Sequence, residues 1–378
     1  MKRQIANIFL LTLLSLVLLF ITAPIVLAQS GRIVRATLHS PSLERTVTGE
    51  VPERNVTIYL PPSYDASPNK RYPVVYLLHG VGDTDATWME GKAEWNNLKS
   101  LMDKGIAEGQ FGEMMIVMPD ERRTVGGGSY YVNSSVTGKW EDFTTKELIS
   151  FIDTHYRTIA QAEARGIAGH SMGGYGAITL GMKHPDLYSV VYGMNPSLIG
   201  WQWGGDLTIV SPAYATALKA KSFDELFQQN DNFYAAGIVI VAQAFSPNPS
   251  KPPFFAELPF TMVDGKLKPA EPAFSQWQTL NPANMVEKYR ANLSKLRGLR
   301  FDSGYEDEFK YIPVNSRALS LALTNNGIDH VFQEYNGDHR NRMWGRTGRL
   351  YTEGLPYFWS LLKSSSGDLT SSLSPSPL

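Results

Sequence analysis

Six short apolar runs, separated by stretches with helical spacing, set the pattern of this chain. The runs cover residues 74–78, 114–118, 166–168, 190–193, 299–301 and 331–335, and helical patterning occupies 95–107, 143–155, 175–183, 313–326 and 349–362. A strand that is apolar at every position is buried on both faces, and helices alternating with such strands cover the faces of a parallel sheet. The expected fold is therefore α/β, a mostly parallel sheet flanked by helices. Ahead of these runs, residues 45–60 alternate apolar and polar side chains around Val51-Pro52-Glu53. That alternation predicts an antiparallel hairpin at the N-terminal edge.

At 378 residues the chain is long enough for two domains, but α/β folds with insertions often reach this size as one. The net charge is −1 and no basic block occurs, which argues against a nucleic-acid partner. Cysteine is absent. Thiol nucleophiles, thiolate zinc sites and disulfide staples are thereby excluded, and neither a metal nor a cofactor is expected.

Both ends differ from the middle. Lys2 and Arg3 precede an apolar run from Ile5 to Leu27, interrupted by Thr12, Ser15, Thr22 and Pro24, and Val26-Leu27-Ala28 sets small residues where a signal peptidase reads. Residues 1–28 are expected to be a signal peptide cleaved after Ala28, leaving a secreted or periplasmic protein with no membrane contact. The alternative is an uncleaved anchor, since the run approaches the roughly 20 residues a spanning helix needs. Residues 29–363 then form the main domain. The Ser- and Pro-rich stretch 364–378 reads as a disordered tail.

Within the main domain, residues 200–290 break the strand–helix rhythm. They hold Trp201, Trp203 and Trp277 and a Pro-rich stretch. An irregular insertion of that length calls for a role. A cap that forms part of a substrate pocket, with these three tryptophans facing it, is the expectation; a helical insertion packed on the sheet edge is the alternative.

Chemistry centres on Gly169-His170-Ser171-Met172-Gly173. A Gly-x-Ser-x-Gly match is weak by itself, but here a strand leads in and a helix leads out. A serine in that context sits on a sharp turn with its hydroxyl raised at the carboxyl end of the sheet, and Gly169 and Gly173 allow the close approach. The hydroxyl needs a base, and the base an orienting acid. In folds with this turn the order is serine, acid, histidine. Only His330 and His339 come late enough; His339, in the loop Asn336-Gly337-Asp338-His339, is preferred over His330, which opens the strand 331–335. His79, His170 and His184 lie too near other motifs, and His39 and His155 read as surface residues. Asp302, Glu306, Asp307 and Glu308 follow the run 299–301. The turn at Gly304 favours Asp307, with Glu308 and Asp302 as the other candidates. Oxyanion donors are expected from the N–H of Met172 and from the loop His79-Gly80-Val81-Gly82, where Val81 is favoured and Gly80 and Gly82 shape the turn.

Tyr76-Leu77-Leu78-His79-Gly80 with Trp88, Gly169-His170-Ser171-Met172-Gly173-Gly174, Gly304-x-x-Asp307, Gly337-Asp338-His339 and Asn133-Ser134-Ser135-Val136-Thr137-Gly138-Lys139-Trp140-Glu141 together resemble the esterase D-like group of α/β-hydrolases. That group includes feruloyl and acetyl-xylan esterases, S-formylglutathione hydrolases, siderophore esterases and mycolyltransferases. The resemblance covers residues 45–362. It implies a serine carboxylic-ester hydrolase acting through an acyl-enzyme on a small-molecule or polysaccharide-linked ester. Acyl transfer on the same residues is one alternative, and a non-catalytic carbohydrate- or cell-surface-binding protein another. Export argues against the cytosolic S-formylglutathione activity.

Overall fold

The computed structural model describes residues 30–91, 95–198, 211–227 and 233–363. The N-terminal apolar segment with Ala28, Trp201 and Trp203, and the 364–378 tail lie outside the described residues.

Eight strands form the central sheet: β1 (Arg32–His39), β2 (Glu53–Leu60), β3 (Val74–Leu78), β4 (Met115–Pro119), β5 (Arg165–His170), β6 (Val190–Met194), β7 (Gly298–Gly304) and β8 (Val331–Tyr335). Their spatial order is β1-β2-β4-β3-β5-β6-β7-β8. β2 is antiparallel to both β1 and β4, and all remaining neighbours are parallel. The expected mostly parallel sheet with an antiparallel N-terminal edge is what forms. β3, β4 and β5 are buried at every position, as the apolar runs within them require; β5 also buries Arg165 and His170 at its ends.

The edge hairpin differs from expectation in its first arm. β2 pairs with Arg32–His39, from Arg32 opposite Leu60 to His39 opposite Glu53, and not with residues 45–51. Those residues belong to the connecting loop, which the Ser40 N–H closes on the Pro52 carbonyl at 2.9 Å. Arg45 and Gly49 have φ of 52° and 67°, left-handed values that a strand cannot contain.

Alternate residues of β3 divide the core between the two faces. Val74, Tyr76 and Leu78 join one apolar cluster, and Val75 and Leu77 the other. The second face is covered by α1 (Leu98–Ala107) and, near the C-terminus, by Leu355–Leu361. Asn97 starts α1, its side chain accepting the Ser100 N–H at 2.9 Å. The first face carries α2 (Leu148–His155) and α3 (Met172–Lys183), joined later in the chain by Tyr311–Asn325. Large apolar side chains withdrawn from water in this way each contribute about 1.5–3 kcal/mol.

Between β6 and β7 the described residues hold α4 (Ser211–Lys219), the short helix Phe223–Phe227, α5 (Phe233–Phe245), a hairpin of Phe260–Val263 with Lys266–Pro269, and α6 (Ala273–Leu280). Helices are the main regular structure among these described residues. Ala235, Ala236, Val239 and Ala242 of α5 are buried in the first-face cluster.

Candidate active site

β5 ends at His170 and α3 begins at Met172, so Ser171 alone makes the turn between strand and helix. Its φ of 57° and ψ of −118° fall where non-glycine residues are rarely found, at a cost of about 1–3 kcal/mol. The neighbouring backbone holds it there. The Ser171 N–H donates to the Met194 carbonyl at 3.0 Å, and the Ser171 carbonyl accepts from Ser197 N–H at 2.8 Å and Tyr175 N–H at 3.1 Å. A Cβ on Gly169 would stand 2.2 Å from the Gly173 carbonyl oxygen, and one on Gly173 2.2 Å from that of Leu78. Both positions require glycine. Met172 opens α3, and first-turn N–H groups have no partner inside their own helix and favour negative charge.

His339 lies in the loop after β8, and Asp307 in the turn after β7. The His339 Nδ1–H donates to Asp307 Oδ2 at 2.8 Å, with Asp307 fully buried and His339 nearly so. Phe309 N–H donates to the other Asp307 oxygen at 2.8 Å. With its Nδ1 proton engaged, the ring keeps Nε2 as an acceptor. The main chain of His339 is braced as firmly as its ring. Its carbonyl accepts from His170 Nε2–H at 2.7 Å and from Asn195 Nδ2 at 2.8 Å. Its N–H donates to Glu308 Oε2 at 3.3 Å.

His170 and Asn195 are the site residues that sequence reasoning missed. Burial, reinforced by the nearby His339, pushes the His170 imidazole well below its usual range, so it serves as a neutral donor. Asn195 also donates to the Tyr335 hydroxyl at 2.6 Å and accepts the Gly304 N–H at 2.8 Å. One buried amide thus ties the end of β6 to the end of β7 and to the loop carrying His339. Its only local signal is a polar residue directly after an apolar strand.

The remaining candidates occupy other places. Asp302, within β7, is buried and accepts from the Tyr192 hydroxyl at 2.5 Å and the Asn195 N–H at 3.1 Å. It also pairs with Arg349, so it neutralises a buried guanidinium. Glu306 and Glu308 are exposed; the Glu308 carboxylate accepts the His339 N–H, and its carbonyl the Tyr234 hydroxyl at 3.3 Å. His330 bridges Ser320 Oγ at 2.8 Å and the Ile328 carbonyl at 2.9 Å while stacking on Phe301.

The loop after β3 lies against Ser171, since a Cβ on Gly80 would be 3.4 Å from that of the serine. His79 organises this loop. Its Nε2 accepts the Glu121 N–H at 2.8 Å, so its Nδ1–H donates to the Gly80 carbonyl at 2.8 Å. Burial lowers the His79 pKa, in keeping with that neutral tautomer. Gly80 N–H is taken by Asp83 Oδ2 at 3.2 Å, and Gly82 N–H, at a residue with φ of 82°, by the Gly127 carbonyl at 3.4 Å. Among the described residues no acceptor meets the N–H of Val81 or of Met172.

Ser171, His339 and Val81 line one cleft, whose empty volume of about 990 Å³ is partly open to solvent. Tyr130 and Tyr311 wall it from the main domain, and Tyr214, Trp277 and α5 from the insertion. Trp277 is 3% exposed, donates from Nε1 to Ser246 Oγ at 2.7 Å, and meets Phe245 edge-on. It is packing and pocket wall at once. Trp201 and Trp203 lie outside the described residues. Among the described residues no cluster of His, Asp and Glu is arranged to hold a metal ion.

Residues 51–347 match the family model described as putative esterase. The chain belongs to that family. An esterase of Mycobacterium tuberculosis is 35% identical over 134 residues, 34% of this chain and 26% of that one. Endo-1,4-beta-xylanase Y of Acetivibrio thermocellus is 30% identical over 156 residues, 39% of this chain and 12% of that one. The matched region thus spans about a quarter or less of these relatives. A solved ferulic acid esterase superposes with a TM-score of 0.61 at 22% identity, covering 88% of this chain and 99% of the other. An S-formylglutathione hydrolase from Agrobacterium tumefaciens gives 0.56 at 19% identity, covering 89% and 97%. These esterase-family structures share the α/β-hydrolase fold with this chain.

Proposed function

We propose that this esterase-family chain is an exported serine carboxylic-ester hydrolase working through an acyl-enzyme. The contact that carries the reading is His339 Nδ1–H to the buried Asp307, made at the cleft where Ser171 is held on its strained turn. His339 Nε2 takes the proton of Ser171 as its Oγ attacks the ester carbonyl. Asp307 holds the tautomer and stabilises the imidazolium. The tetrahedral oxyanion accepts from the N–H groups of Met172 and Val81, both without acceptors among the described residues. His339 then protonates the departing alcohol, and water, activated by the same imidazole, releases the acid and restores Ser171.

The relatives point to the class of ester. One matched curated protein is an endo-1,4-beta-xylanase/feruloyl esterase of Xylanibacter ruminicola, and a ferulic acid esterase shares the fold. An ester of an aromatic acid on a polysaccharide is accordingly the substrate class proposed here. Export rests on Lys2 and Arg3, the apolar run to Leu27 and the small residues ending at Ala28.

Turnover of p-nitrophenyl acetate by the pure protein, abolished in Ser171→Ala, tests the mechanism; undiminished turnover in that variant overturns it. Release of ferulate from feruloylated arabinoxylan tests the substrate class. Protein recovered outside the cytoplasm should begin at Gln29; recovery in the cytoplasm alone would overturn the export reading, and an intact Met1 outside it would show a retained anchor.

A further inference from the structure

α5 presents Tyr234, Gly237, Ile238 and Val241 to the cleft, the spacing that brings residues onto one face of a helix. Three of these side chains are large and mainly apolar; the fourth position has none. Glycine inside a helix is unfavourable relative to alanine, so its presence calls for a reason.

The usual reason is crowding, and the other glycines in the interiors of described helices show it. A Cβ on Gly105, Gly173, Gly174, Gly176 or Gly181 would stand 2.0–2.8 Å from a neighbouring atom. At Gly237, apart from its chain neighbours and the backbone of its own helix, no atom of the described residues lies within 4 Å of that position. The gap opens on the same cleft as Ser171 and His339. Its surroundings are apolar: Ile238 and Val241 flank it on the helix, and the ring of Tyr234 packs on Phe309 with centroids 5.8 Å apart.

The geometry points to Gly237 as a specificity-determining residue, one that makes room beside α5 for a bulky apolar substituent of the ester. The inference rests on the esterase reading and deepens it. The substituent is carried on the acyl or the alcohol side, and the same apolar space would receive either.

Gly237→Ala and Gly237→Leu fill the gap in steps. Comparing p-nitrophenyl benzoate with p-nitrophenyl acetate varies the acyl side; comparing 1-naphthyl acetate with phenyl acetate varies the alcohol side. In at least one pair the ratio of kcat/KM, bulky over small, should fall several-fold in the alanine variant and about tenfold or more in the leucine variant, because small changes in pocket volume discriminate on that scale. The pair that responds identifies the side. Gly237→Ala should keep or raise Tm, since its Cβ meets none of the described neighbours and alanine favours the helix. Unchanged or raised ratios in both pairs overturn the inference, as does a lowered Tm in Gly237→Ala, which would show the position to be crowded. If the leucine variant does not fold, the alanine ratios decide. Failure of the esterase reading itself looks different: esterase activity would survive Ser171→Ala whatever the Gly237 ratios showed.

Discussion

The two walls of the cleft are built differently. Around Ser171 the main chain does most of the holding: the serine is fixed by its own N–H and carbonyl, and the His339 loop by its carbonyl and N–H. The facing wall, supplied by the insertion, is made of side chains on helices, with Trp277 and α5 packed on the first-face core and Tyr214 against Phe260. Backbone contacts demand one chain path and tolerate glycine or nothing at points such as Gly169 and Gly173. Side-chain walls can change shape while the helices stay in place. On the proposed mechanism, the sheet end carries the reaction and the insertion chooses the ester.

The largest expected effect lies on the sheet side. Ser171→Ala should lower kcat by about 10⁴-fold or more while changing thermal stability little; retained turnover would erase the distinction between the walls. Asp307→Asn should cost about 10⁴-fold in kcat through the wrong imidazole tautomer. Asp302→Asn is the contrasting case. It breaks a buried pair with Arg349, for a loss of about 3–5 kcal/mol of stability, and the folded fraction should keep its kcat within about tenfold. The two acids exchange roles if thermal melts and kcat come out the other way round.

On the insertion side, Trp277→Ala should cost about 3–5 kcal/mol and also shift KM for bulky esters, because the ring is packing and wall together. A Trp277→Phe variant keeps most of the ring contact and loses the hydrogen bond to Ser246, typically about 1 kcal/mol. If chemical denaturation shows Trp277→Ala to be nearly neutral, the insertion is not packed as the core contacts indicate.

The smallest effect concerns the support beneath the loop after β3. Glu121 accepts from Ser129 Oγ at 2.8 Å and from Thr144, and burial pushes its pKa up to about 8 from an ordinary 4.5. The folded protein therefore holds this proton more tightly than the unfolded chain. Its stabilising contribution is complete below about pH 4.5 and is lost as pH rises through 8. Glu121→Gln should flatten the fall in Tm between those limits. An equally steep fall in the variant would assign the pH dependence to another group.

How far these features could be read in advance depended on how local they are. The buried strands were visible because burial on both faces demands apolar residues throughout, as in Val74–Leu78. The edge hairpin was half visible: β2 stood out, but residues 45–51 alternate almost as a strand does, and only the left-handed turns at Arg45 and Gly49 show that they are not one. Asp307 could be preferred over Asp302 on the turn at Gly304, yet both follow the same apolar run. The register of β7 against its neighbours, together with Arg349 arriving from the last part of the chain, separates them.

The sequence by itself determined the α/β sheet, the strand–turn–helix around Ser171, and the loops that would carry a base and an acid. Each of these is a local consequence of side-chain period, glycine placement or chain order. Only the tertiary structure decided that His170 and Asn195 hold the His339 carbonyl, that His79 braces the loop after β3, and that α5 with Trp277 walls the cleft. Those contacts join residues far apart in the chain, and the direction of a hydrogen bond across the sheet is set by strand register and packing, which no periodicity in the sequence encodes.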